Sequence, residues 1–479
     1  MNKRFFLPIV LAAVASAQMP QGQQQQSVAG VVKLNRAPVS NEVLKVKLPR
    51  PVERQLANGM KLLVVESHRV PTITLRMNMP SGDLRDAAGV PGISDATAAL
   101  IRLGTKTRSS KDIADAVAEL GATLSFGSSQ GEATILLSSM TENFDAALAL
   151  LADVLMNPSF PQDELDKWKT RQRAQLEQMK SSPGIPANDL MMKLMYPDDS
   201  RRYTHVTAES LAKITRESLL EHYKTYYVPS GEWAGISGDI SPREAVAKLD
   251  KVLGAWKGGP IAHVTMKFPE PLTDKKVYLI SRPNSVQTLL MVANHAIDRK
   301  SPDYIECQVM NRVLGSGPSS RLFRIIREEK GYTYGIGSGF SATRYLNHFM
   351  ASTSVRTEVT EPALAELLAQ FGDIRNRAVP ADELADAKSA IVAGFVLGLE
   401  SSSQVLSRWM EQRMDGLPED YWDTYTAKVM AVSAEDVQRV AKKYVPLDNI
   451  RIVAVGDASK ITELLKKFGP VEEISPDSI

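Results

Sequence analysis

The feature that most constrains this chain is that it contains itself twice. "ITRESLLEHYKTYYVPSGEWAGISGDI" (Ile214–Ile240) returns as "VSAEDVQRVAKKYVPLDNIRIVAVGDA" (Val432–Ala458). Each copy gives a polar helix, Tyr-Val-Pro, a turn, an apolar run and Gly-Asp. Tyr227 and Tyr444 lie 217 residues apart, and Gly238 and Gly456 lie 218 apart, so the turn gains one residue. Pro161, Asp163, Glu164, Leu165 and Lys169 likewise recur 219 residues later as Pro380, Asp382, Glu383, Leu384 and Lys388. Solenoid repeats run to about 20–50 residues, so a period this long implies two duplicated domains.

Both halves follow one coarse plan. Ile73, Leu75, Met77 and Met79 alternate with polar residues as a half-buried strand does, and "KVYLI" with "QTLLMVANHAI" takes that part later. "ENFDAALALLADVLM" and "EPALAELLAQFGDIR" carry apolar residues at helical spacing. Strands and helices without strict alternation predict an α+β fold: two homologous domains, each a mostly antiparallel sheet with helices on one face. We place the N-terminal domain at 44–256, an extended Gly/Pro-rich linker at 257–272, the C-terminal domain at 273–470 and a tail at 471–479.

The start of the chain reads differently. Lys3 and Arg4 precede "FFLPIVLAAVA", an apolar run too short to span a bilayer, and "ASA" ends before Gln18. This is the pattern of a cleaved secretory signal over residues 1–17, and it predicts a periplasmic or secreted protein with no membrane anchor after cleavage. Residues 18–43, rich in Gln and Pro, read as a flexible leader. A net charge of +2 with well-mixed signs excludes nucleic acid as an expected partner. The single cysteine, Cys307, sits at helical spacing with Ile305 and Val309 and is expected to pack in the core.

Further on, "LGSGPSSRLFRIIREEKGYTYGIGSGF" predicts a helix, a break and a strand. Leu322, Phe323, Ile325 and Ile326 form the helix's apolar face. Tyr332, Tyr334, Ile336, Ser338 and Phe340 share one strand face, with Gly335, Gly337 and Gly339 opposite. An Arg on a polar helix face is ordinarily a solvated charge, and a strand Tyr is ordinarily packing.

Taken with the "YVP…GD" endings and the duplication, this stretch resembles the pitrilysin/insulinase peptidases. It is most similar to the branch that holds the mitochondrial processing peptidases and their bacterial relatives. The resemblance runs from about Leu44 to Phe468. Active members carry an inverted zinc motif, H-x-x-E-H, with a distant Glu as third ligand. Aligned on Gly92 and Gly104-Thr105, that motif falls over Asp95-Ala96-Thr97-Ala98-Ala99. Asp95 and Ala99 stand where histidines belong, Ala98 where the general base belongs, and Glu177 where the distant Glu belongs. The six histidines, His68, His205, His222, His263, His295 and His348, show no metal-ligand spacing.

The resemblance therefore implies a non-zinc-binding subunit that binds no cofactor itself. It also implies that Arg327 and Tyr334 match the family's Arg–Tyr pair, which binds substrate and steadies the developing oxyanion. Gly315, Ser316 and Gly317 match its substrate-facing loop. A zinc-bearing homologous subunit would be the partner, and an unfolded peptide the substrate. Two alternatives stand beside it: a catalytically inactive peptide-binding, chaperone or scaffold protein, and an unusual metal site built on Asp95 and Glu177.

Overall fold

The computed structural model describes Leu48–Ser475 apart from Gln130, Ser230, Gly231, Pro260 and His263. The signal, the leader and His263 lie outside the described residues. Two six-stranded sheets organise the rest. The first contains β1 (Val52–Gln55), β2 (Lys61–Glu66), β3 (Thr72–Met79), β4 (Thr123–Ser128), β5 (Ala133–Met140) and β6 (Trp233–Gly238), in the order β1-β2-β6-β3-β5-β4. The second contains β7 (Lys276–Ser281), β8 (Gln287–His295), β9 (Thr333–Ala342), β10 (Asn347–Arg356), β11 (Arg451–Gly456) and β12 (Val471–Ile474), in the order β12-β7-β11-β8-β10-β9.

The duplication is thus a repeat of topology. β2 and β6 pair in parallel, as do β7 and β11, while β3–β5, β4–β5, β8–β10 and β9–β10 are all antiparallel. Gly238 and Gly456 end the matching strands, and Pro161 and Pro380 precede the matching helices Gln162–Lys180 and Ala381–Leu397. The copies differ at one sheet edge. β1 pairs with β2 antiparallel from the N-terminal side, whereas β12 pairs with β7 in parallel from the C-terminal side. Residues 471–474, assigned to a tail on sequence, are therefore a strand of the second sheet.

Alternation decides which face each strand residue serves. On β3, Ile73, Leu75, Met77 and Met79 turn to their own half's helices, as their spacing predicts. The opposite sheet face is covered by a helix from the other half. Helix Ser402–Asp415 of the second half lies on β6 and β2, where Leu406, Trp409 and Met410 meet Leu63 and Val65. Helix Gly184–Met195 of the first half lies on β11 and β8, joining Tyr278, Ile280, Met291 and Val453 in a separate core. A Cβ at Gly235 would stand 2.6 Å from the Met410 sulfur and 2.7 Å from Leu406, so only glycine lets the crossing helix sit this close.

The two halves consequently belong to one compact unit, Leu44–Ile479, despite the linker between them. Cys307 is fully buried in the second-half core, and burial pushes its thiol pKa up. Among the described residues no single helix is long and apolar enough to cross a membrane.

Candidate functional site

The helix Ile93–Leu100 carries the positions aligned with the zinc motif. Its buried residues Ile93, Ala96 and Leu100 fix it to the first sheet's core, and Thr97 donates its hydroxyl to the Ile93 carbonyl at 2.8 Å. That packing turns Asp95, Ala98 and Ala99 toward helix Gln162–Lys180. Between them is a cavity of about 330 Å³, walled across from the alanines by Trp168, Gln172, Gln175, Leu176 and Met179.

Glu177 does not join this wall. It is exposed and pairs with Lys180 at 2.9 Å. Positions 168, 172, 175, 176 and 179 follow a helical face, and 177 falls outside it. Helical periodicity was the signal that could have corrected the alignment. Asp95 and Glu177 are therefore not brought together, and no joint site exists for the metal reading that needed both.

Asp95 has a different set of neighbours. It also borders a second cavity of about 350 Å³ together with Asp83 and Asp86. Asp86 accepts hydrogen bonds from the Ser94 hydroxyl, the Ser94 N–H at 3.0 Å and the Gly92 N–H. Burial, opposed by those bonds, still pushes Asp86 up to about 6. Asp95 is pushed up to about 7, first by the poor hydration of its concave setting and then by the charges of Asp83 and Asp86. Its side chain is nevertheless exposed, and the carboxyl keeps its proton to higher pH than a free aspartate does.

Among the described residues no group of three or more His, Cys, Asp or Glu side chains is placed to hold a metal ion. Facing Asp95 are two alanines, two amides, Ser128, apolar groups and His205, whose ring nitrogens contact Asp189 and the Val206 carbonyl. Asp95 and His205 together fall short of the three protein ligands that zinc takes even at an open site. The described histidines have other partners: His68 with Asp239, His205 with Asp189, and His222 with Ser81. His295 and His348 face each other across β8 and β10 and contact Met195 and Tyr196 of the crossing segment.

The second half presents the other candidate residues. Arg327 and Tyr334 are brought together: the Arg327 Nε donates to the Tyr334 carbonyl at 3.1 Å. The guanidinium lies 4.7 Å from the centre of the Phe323 ring and keeps two-fifths of its side chain in solvent. Tyr334 is 93% exposed, the most exposed large side chain of its kind among the described residues. Sequence alternation placed Tyr334 on the face of Ile336, but Ile336 is buried and Tyr334 is not. A β-bulge between Thr353 and Val355 of β10 shifts the register and breaks the alternation there.

The neighbouring loop is held tightly. The Gly315 carbonyl accepts from the Ser338 N–H at 3.0 Å, and a Cβ at Gly315 would collide with Ser338. Gly317 takes φ +97°, and the Ser316 carbonyl accepts from Arg312 at 2.9 Å. Gly315 therefore lies against the outer edge of β9, the strand that carries Tyr334, while Ser316 and Gly317 are held to Arg312. Arg321, just beyond, is bound to Glu383 and Asp373 and anchors the segment.

Comparison with known proteins agrees with the fold. Residues 61–204 match the family described as insulinase (peptidase family M16), and residues 213–391 match the peptidase M16 inactive domain. The chain is 24% identical over 355 residues to the uncharacterized zinc protease YmxG of Bacillus subtilis, covering 73% of this chain and 85% of that one. It is 22% identical over 415 residues to the non-peptidase homolog YmxG of Helicobacter pylori, covering 85% and 94%. The crystal structure of a peptidase M16 inactive domain from Pseudomonas fluorescens superimposes with a TM-score of 0.79 at 27% identity, over 85% of this chain and 98% of that one. With both of its halves matched by models of that family, the chain belongs to the insulinase (peptidase M16) family.

Proposed function

We propose that this chain is the zinc-free subunit of a two-subunit peptidase that acts on unfolded peptides. A homologous subunit bearing H-x-x-E-H would supply the metal and the base, and this chain binds no cofactor of its own. Its contribution is Arg327 and Tyr334, offered in trans, with the Gly315–Gly317 loop beside them. The observation that carries this reading is the Arg327–Tyr334 contact on a solvent-facing edge strand. The bond holds the two residues together while the Tyr334 side chain stays exposed. A guanidinium can grip peptide carbonyls or carboxylates, and a free phenol hydroxyl can donate to a developing oxyanion.

The test is reconstitution. The purified chain mixed with a zinc-bearing homologue should gain peptidase activity absent from either alone. Arg327→Ala and Tyr334→Phe should each lose it. No gain on mixing would sink the proposal.

A second reading is favoured by the cavity at Ala98 and Ala99. Its mixed apolar and amide walls could hold a peptide side chain without chemistry, in a peptide-binding or scaffold protein. Stoichiometric peptide binding without cleavage, by the chain alone, would select that reading. We also propose export to the periplasm or medium. A mature N-terminus at Gln18 in the extracytoplasmic fraction, found by mass spectrometry, is the expected result.

A further inference from the structure

Two departures from regular backbone geometry meet beneath the Arg327–Tyr334 pair. Arg327 lies in a π-helix, Phe323–Glu329, instead of an α-helix. Its wide winding continues at the end, where the Lys330 N–H bonds the Ile325 carbonyl and the Tyr332 N–H bonds the Ile326 carbonyl, both at 3.0 Å. Such turns are rare and change the direction in which a side chain leaves the helix. Here Arg327 is stacked over Phe323 and aimed at β9.

The other departure is the bulge. From Ile336 to Thr333, β9 uses one more residue than β10 does from Thr353 to Val355. Two threonine hydroxyls fill the gap. Thr353 Oγ1 lies 3.0 Å from both Thr333 Oγ1 and the Gly335 carbonyl. Thr333 Oγ1 lies 2.7 Å from the Ser354 carbonyl and accepts the Gly335 N–H at 3.1 Å. Thr353 is 4% exposed, a place where a plain β-branched apolar residue would serve a sheet equally well.

Tyr334 needs this support because it has so little side-chain packing. At 93% exposed, its direction is set by the backbone it hangs from. That same backbone supplies the carbonyl that binds Arg327. We infer that Thr333 and Thr353 are positioning residues for the Arg327–Tyr334 pair, with Phe323 setting the guanidinium from below. The inference rests on the proposed trans-acting role of that pair.

Reconstituted peptidase activity tests it with Thr353→Val and Thr353→Ser. Misplacing a reacting group by about 1 Å can cost about 100-fold, so Thr353→Val should lower kcat by about 10- to 100-fold, and Thr353→Ser should restore it. A merely structural role predicts a lower melting temperature with kcat intact, and that result would overturn the inference. If Thr353→Val does not fold, Thr333→Val, at the more exposed end of the network, replaces it. Hydrogen exchange in the isolated chain tests the network without the partner. The Gly335 amide should exchange faster in Thr333→Val while β8 is unchanged, and equal exchange would overturn the inference whatever the complex does. Activity that never appears with the wild-type chain instead rejects the proposed function.

Discussion

Trp409 of the second half donates its indole N–H to the carbonyl of Pro49, at the start of the described first half, at 2.9 Å. Its ring is fully buried in the core built from Leu63, Val65, Leu406 and Met410. The residue belongs to one copy of the duplication and is buried on the sheet of the other. Trp409→Ala should cost about 3–5 kcal/mol, measured by urea unfolding, because a large buried ring leaves a cavity. The halves should still unfold in one transition in the wild type; two separated transitions would contradict shared cores.

Gly235→Val tests the close approach from the other side. The added Cβ meets Met410 and Leu406 within 2.7 Å. We expect a loss of about 1–3 kcal/mol from overpacking, read from the shift in denaturant midpoint.

Removing residues after Gly469 tests the strand that replaces the expected tail. The truncation strips β12 from β7, whose register runs Val471 to Val277 through Ile474 to Ile280. With hydrogen bonds worth about 0.5–1.5 kcal/mol each, the loss should be a few kcal/mol, with increased self-association from the bared edge. Light scattering and thermal melting would measure both.

Stability should fall as pH rises through the window set by Asp95. Its folded pKa is raised from 3.8 to about 7, so the folded state holds a proton that the unfolded state has lost. The stability present below pH 3.8 is lost progressively as pH climbs to about 7. Asp95→Asn should therefore stabilise the protein at about pH 8 and be neutral near pH 4. The reverse trend would show that the carboxylate is well solvated.

His222 acts in the opposite direction. Burial first, and Arg85 next, lower its pKa from 6.5 to about 4, so the unfolded chain takes up the proton first. Stability held above pH 6.5 should be lost as pH falls toward 4. His222→Gln, able to keep a contact with Ser81, should flatten that part of the stability curve.

The duplication, the alternating core face of β3 and the alanines Ala98 and Ala99, which can neither ligate a metal nor take a proton, were determined by the sequence alone. Each is a matter of residue type at a fixed spacing, and local geometry carries spacing directly into structure. Tertiary structure decided which half's helix covers each sheet. Periodicity marks a face as apolar without saying what will bury it, and Leu406 and Trp409 read the same whichever sheet they meet. It also decided that Glu177 turns away from Asp95, and that Tyr334 leaves the sheet alone. One extra residue in β9 and one wide turn at Arg327 reverse the direction of a side chain while leaving composition and pattern unaltered. Only the pairing of β9 with β10, and of Arg327 with the Tyr334 carbonyl, reveals them.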